Sequence, residues 1–197
     1  MPRKKSAQPD HVTALRVRTP PRRRLDPDMQ KYFAVCEEKI QHVPNVLLAY
    51  SAHGPKLRNM VNFYNELMFG ESPLTKLERE MIAVVVSCAN HCYYCLVAHG
   101  AAVRELSGDP VLGELLALNY RAADLPPRHR AMLDFAHKLT VAQRDVGEAD
   151  RQSLRDAGFS EEAIWDIAET AAFFNFTNRL ATATDMMPNR LYHGQAR

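Results

Sequence analysis

The sequence predicts an all-α protein, and three observations carry that reading. Apolar residues recur at three- and four-residue spacing along most of the chain after Pro27. Gly and Pro fall between those stretches, where helices begin and end. No Asn-Gly or Asp-Gly pair and no sustained two-residue alternation marks a hairpin or a strand.

The elements follow in order. Residues 1–27 hold five prolines and the run Arg22-Arg23-Arg24. Such a stretch cannot bury enough apolar surface to fold alone, so it reads as a basic arm, solvated or packed on a partner. A helical domain is expected over residues 28–197. Over 28–41, Met29, Phe33, Cys36 and Ile40 share one helical face, and Val43-Pro44 breaks the pattern. Residues 45–50 form a short apolar segment before Gly54-Pro55. Over 56–69, Leu57, Met60, Val61, Tyr64, Leu67 and Met68 form one apolar stripe, with Gly70 as its C′ stop. Thr75 followed by Glu78 fits a capping box for a helix running toward Ala89. Asn90 is the expected cap of the next helix, which carries Cys92, Cys95 and His99 and closes near Gly108. Asp109-Pro110 and Pro126-Pro127 open two more, and residues 148–157 a third that ends at Gly158. Ser160 opens the last long helix, stopped before Pro188. Leu74, Arg79 and Met81 recur as Leu125, Arg130 and Met132 at an offset of 51, which suggests two related helical halves.

Composition narrows the function classes. At 197 residues the chain suits one domain with its own core, and 46% hydrophobic with 24% charged residues is ordinary for a globular protein. The longest apolar run, residues 81–86, is far below the ~18 residues of a membrane span. No apolar stretch follows the first basic residues as in a secretory signal, so a cytoplasmic protein is expected, with no membrane partner. The net charge of +2 hides an asymmetry. Residues 1–24 carry eight Lys/Arg and one acid, leaving 17 basic and 22 acidic residues on the body. A nucleic-acid tail is the alternative reading of that arm; the expectation is no nucleic-acid partner.

The chemistry concentrates in the cysteines. Cys36 stands alone, while Cys88, Cys92 and Cys95 lie within eight residues. On a helix, Cys92, Cys95 and His99 fall within about 60° of one another. Two thiols at a helix start face unpaired N–H groups and the positive dipole end, which favour thiolate, and a nearby base such as His99 adds to that. A thiolate can attack peroxide oxygen to give a sulfenic acid, which a second thiol traps as a disulfide. Three other readings compete. Zinc could take Cys92, Cys95 and His99 with Cys88 or His91, but a site on one helix is sterically awkward and no second Cys/His pair appears. Cys88-x3-Cys92-x2-Cys95 has the spacing of iron–sulfur radical enzymes, whose strands this chain lacks. Plain packing suits Cys36, and Cys88 beside Val86 and Ser87. No metal and no cofactor are expected.

The pattern Glu80-x11-Cys92-x2-Cys95-x3-His99 resembles the signature of the AhpD-like alkylhydroperoxidases of the carboxymuconolactone decarboxylase superfamily, most of all its peroxidase-related subgroup. The likeness extends over about residues 28–190 and includes Phe174-Asn175-Phe176-Thr177-Asn178-Arg179 near the end. It implies an all-helical fold assembling into trimers or hexamers, and a thiol peroxidase reducing organic hydroperoxides or hydrogen peroxide. Carried over by position, Cys95 would be the peroxidatic thiol, Cys92 the resolving thiol that forms the Cys92–Cys95 disulfide, and Glu80 with His99 the proton relay. The implied reductant is a lipoylated protein. One departure stands out: Tyr94 occupies the place before the second cysteine where the best-known members have His, and His91 precedes the first. Two other function classes remain open, a non-enzymatic redox-sensing oligomer and a cofactor-free lactone decarboxylase. Trp165, Phe173, Phe174 and Phe176 read as core or interface; Asn175, Asn178 and Arg179 either line a pocket or pair across helices.

Overall fold

In a computed structural model, residues 7–197 are described, and all their regular structure is helical. Nine α-helices occur among them: α1 Pro27–Ile40, α2 Asn45–Tyr50, α3 Gly54–Phe69, α4 Lys76–Ala89, α5 Tyr93–Ser107, α6 Pro110–Asn119, α7 Pro127–Val141, α8 Glu148–Asp156 and α9 Glu161–Ala183. The all-α expectation is met and most boundaries agree with the sequence punctuation.

Helix α4 is the centre of the main core, with α3, α5, α6, α7 and α9 packed around it. Its residues 81–86 are wholly buried. That is the signature of a helix apolar on all sides, and each large side chain so buried contributes roughly 1.5–3 kcal/mol. Both bonds of its capping box form: the Glu78 amide donates to Thr75 Oγ1 (3.1 Å) and the Thr75 amide to Glu78 Oε2 (2.8 Å). A second apolar cluster joins α1, α2 and α3 through Met29, Phe33, Leu47, Leu57 and Val61.

The echo at offset 51 has a structural counterpart. Arg79 reaches back to the carbonyls of Leu67 and Gly70, at the end of α3. Arg130 reaches back to those of Tyr120 and Ala123, just past the end of α6. Each arginine satisfies orphan carbonyls that a helix end leaves behind.

Three local expectations change. Gly70 does end α3, but with φ −65° and ψ 171°, not in a left-handed turn. Its requirement is close approach, since a Cβ there would stand 2.4 Å from the Glu66 carbonyl oxygen. Asn90 caps the end of α4, and Cys92 is the N-cap of α5. The arm lies on its own body: the Met187 amide donates to the Val12 carbonyl (3.0 Å), the Ala14 amide to that of Thr184 (2.9 Å), and His11 pairs with Asp185. Arg22 binds Glu37. The first six residues of the arm, with Arg3, Lys4 and Lys5, lie outside the described residues. No helix among the described residues is long and apolar enough to cross a membrane.

Candidate active site

The turn from α4 to α5 builds the site. His91 stands in the left-handed region (φ 53°), the Cys92 amide donates to the Ser87 carbonyl and the His91 amide to that of Cys88, both at 3.0 Å. These are the two bonds of a Schellman motif, with His91 at C′ in the place glycine usually fills. The motif folds α5 back along α4. Glu80 and His99 lie almost equally far from the turn on the two arms of this hairpin, so they face each other. His99 Nδ1 and Glu80 Oε2 are 2.6 Å apart, with Glu80 only 5% exposed. The imidazole also packs edge-on against Phe174 at 4.6 Å between centroids.

The motif residues Glu80, Cys92, Cys95 and His99 therefore converge, although Cys92 precedes the helix instead of riding on it. Both cysteines are free and buried. The two thiols interact: the Cys95 thiol donates toward Cys92, which with the Cys95 backbone amide outweighs burial and holds Cys92 down to about 7. The same contact, together with burial, pushes Cys95 up. The pair shares a single negative charge close to neutrality.

Cys95, His99 and Glu80 open onto a cavity of about 380 Å³; Cys92 does not line it and packs against Ala181 and Met186 instead. The walls come from α1, α2, α3, α4, α5 and α9 and are mostly apolar, with Val46, Met60, Phe173 and Leu180 among them. Tyr32, Tyr64, Tyr94 and Tyr192 add phenol groups. Burial and the Glu80 carboxylate keep Tyr64 and Tyr192 protonated far above neutrality, so both remain hydrogen-bond donors. Tyr192 arrives from the C-terminal segment, held by Arg104, which donates to the carbonyls of Tyr192 (2.8 Å) and Gln195 (3.0 Å).

Other sequence-selected residues sort clearly. His91 is exposed and stays outside the cavity. Tyr94, in place of the family's His, is buried and its hydroxyl accepts the Val46 amide, tying α5 to α2. Asn178 is fully buried beside Cys95, whereas Asn175 bonds Thr140 and Arg179 bonds Asn175. Phe173 and Phe174 are buried; Trp165 and Phe176 are 69% and 57% exposed. Cys36, read as a packing residue, is buried in the α1–α3 cluster but also reaches the cavity wall. Cys88 does not reach it, and burial pushes its thiol up. Among the described residues no three of His, Cys, Asp and Glu converge to hold a metal.

Sequence reasoning missed Ser87, Asn90 and Tyr192. Ser87 carries a signal in retrospect, as a lone hydroxyl closing the run Val84-Val85-Val86. Tyr192 carries none, because its place depends on Arg104, far away in sequence.

The pattern of the carboxymuconolactone decarboxylase family matches residues 55–110, which span the whole α4–α5 hairpin. An uncharacterized peroxidase-related protein from Silicibacter sp. TM1040 is 58% identical, with 96% of this chain and 98% of that one aligned at a TM-score of 0.92. An uncharacterized peroxidase-related protein from Ralstonia eutropha JMP134, described as an alkylhydroperoxidase AhpD core, is 40% identical over 95% and 97% of the two chains, with a TM-score of 0.90. The debrominase Bmp8 shares the fold at 19% identity, with 86% of this chain and 89% of that one aligned and a TM-score of 0.72. No curated protein matches.

Proposed function

The chain belongs to the AhpD-like proteins of the carboxymuconolactone decarboxylase superfamily, and from that premise we propose that it is a thiol-dependent peroxidase of organic hydroperoxides. The observation that carries the reading is the placement of one thiol of a contacting pair, Cys95, on the wall of a cavity it shares with the His99–Glu80 pair. Access supports the roles: Cys95, on the cavity wall, meets the substrate, and Cys92 waits behind it.

The chemistry follows from those positions. The Glu80 carboxylate accepts the Nδ1 proton of His99, which leaves Nε2 free to act as a base. His99 takes the Cys95 proton, and the thiolate attacks the terminal peroxide oxygen. The S–O bond forms, the O–O bond breaks, and the alkoxide leaves with the proton His99 returns. Cys95 is now a sulfenic acid. The Cys92 sulfur attacks it, forming the Cys92–Cys95 disulfide and releasing water. An external dithiol, here a lipoylated protein, reduces the disulfide and is itself oxidised.

Cavity size favours organic substrates over hydrogen peroxide. A volume of about 380 Å³ falls in the small-molecule range of roughly 300–1,000 Å³, while a molecule the size of water fills about 30 Å³. In the proposed trimer or hexamer, Trp165 and Phe176 mark a surface to cover, since a separation of eleven residues puts both on one face of α9.

The test is peroxide consumption with dihydrolipoamide. Many equivalents of cumene hydroperoxide consumed per subunit, lost in Cys95→Ser, are expected. Consumption of a single equivalent would mean a redox sensor, and full turnover by Cys95→Ser would end the peroxidase reading.

A further inference from the structure

Behind the two thiols, on the side away from the cavity, lies a polar network the sequence motif does not include. Asn90 donates through Nδ2 to Asn178 Oδ1 (3.0 Å). Asn178 donates through its own Nδ2 to Ser87 Oγ (3.0 Å). Ser87 and Asn178 are completely buried, on α4 and α9 respectively. Both stand beside Cys95, where they act against the Cys92 contact and the burial that disfavour its anion.

The directions of these bonds matter. With Oδ1 of Asn178 occupied by Asn90, what Asn178 presents to its other neighbours is its two N–H groups. One goes to Ser87 Oγ, and the other faces Cys95. Ser87, having accepted from Asn178, has its own hydroxyl proton left to give. Asn90 spends both amide protons, on Asn175 and Asn178, so the donors left over in the chain are one Asn178 N–H and the Ser87 hydroxyl, the two groups beside Cys95. Hydrogen bonds to an anion are about twice as strong as those between neutral groups, and donors already in place need no reorganisation when the charge appears.

We propose that Ser87 and Asn178 form a preorganised donor cradle that stabilises the Cys95 thiolate, so that the nucleophile is selected from behind the sulfur as well as by the His99–Glu80 pair in front of it. The inference rests on the peroxidase reading only in naming Cys95 as the nucleophile. The titratable groups around Cys95 are Cys92 at the turn, Tyr94 and His99 on α5 and Glu80 on α4, with Tyr64 of α3 and Tyr192 of the C-terminal segment across the cavity. From α9 the neighbour is the neutral Asn178, so the cradle acts on the thiolate without adding a charge of its own.

A merely structural role, in which Ser87 and Asn178 satisfy each other between α4 and α9, would affect stability alone. The experiment separates the two. In a Cys36→Ser, Cys88→Ser, Cys92→Ser background, Cys95 is the only thiol, and its iodoacetamide alkylation rate is followed against pH by mass spectrometry. Ser87→Ala and Asn178→Leu are each expected to raise the midpoint by about one pH unit, with Ser87→Thr restoring it because the hydroxyl returns. A midpoint that stays at the background value in folded Ser87→Ala protein overturns the cradle. If Asn178→Leu does not fold, the Ser87→Ala and Ser87→Thr pair decides alone. Alkylation requires no peroxide, so the two readings fail separately. A shifted midpoint in a protein that consumes no peroxide keeps the cradle and removes the peroxidase. An unmoved midpoint in an active enzyme does the reverse.

Discussion

Helices α4 and α7 begin at positions 51 residues apart and use the same scaffold, yet only α4 contributes to the candidate site. Leu74 and Leu125, Arg79 and Arg130, Met81 and Met132 occupy matching places, and both arginines tie down the region where the preceding helix ends. At the place of Glu80, α7 has Ala131; at those of Cys92, Cys95 and His99 the later half has Gln143, Val146 and Asp150. The connections differ as well. Helix α4 leaves by a Schellman turn that folds α5 back against it, whereas α7 passes through the short 3-10 turn Gln143–Asp145 into α8. One helical hairpin thus serves two ends. The core needs only its apolar and arginine positions, and the candidate site needs the tight return that brings residues 80 and 99 together.

The comparison can be broken most sharply at the sulfur. Cys95→Ser should lower peroxide consumption at least a thousandfold in a steady-state assay, while leaving thermal unfolding close to that of the parent. Retained turnover would place the chemistry elsewhere.

Glu80→Ala makes α4 resemble α7 at that position. It should cost about 10²–10⁴-fold in rate, the usual contribution of a positioned acid–base group, with the helical circular dichroism unchanged. A loss below tenfold would show that His99 works without its carboxylate.

The scaffold should respond alike in both halves. Met81→Ala and Met132→Ala remove fully buried side chains, and each should destabilise by about 2–5 kcal/mol in urea unfolding. A large difference between them would show that the two helices are not equivalent supports. Arg79→Met and Arg130→Met strip donors from carbonyls near a helix end, at a cost of about 1–3 kcal/mol each.

The mildest effect concerns pH. The thiol pair takes up its negative charge near 7, because the Cys95 thiol and amide hold Cys92 down to about 7. A lowered thiol value means that the anion is present above that pH and lost below it. Attack by Cys92 on the Cys95 sulfenic acid, followed as disulfide formation in a single turnover, should therefore slow by about tenfold per unit below pH 7 and level off above it. A flat profile of that step from pH 5 to 8 would contradict Cys92 attacking as a thiolate.

The helices, the capping box at Thr75 and the convergence of Glu80, Cys92, Cys95 and His99 were legible in the sequence because local patterns and fixed spacings encode them. Local reasoning failed where two local options competed. Asn90 is a good helix cap by type, but the helix before it claims it, and its side chain is drawn to Asn175 and Asn178 on α9. His91 has no local mark of a left-handed turn. Gly70 reads as a left-handed stop, although what it meets is the Glu66 carbonyl.

By itself the sequence determined the fold class, the family and the four motif residues, since periodicity and spacing are properties of the chain alone. Only the tertiary structure decided which thiol faces the cavity, how wide that cavity is, and that Ser87, Asn178 and Tyr192 surround the site. Those residues come from helices and a tail far apart in the chain, and their positions depend on packing around α4, which no single stretch of sequence specifies. The basic arm shows the same division: its composition marks it as unable to fold alone, and only long-range contacts with residues 184–190 show where it lies.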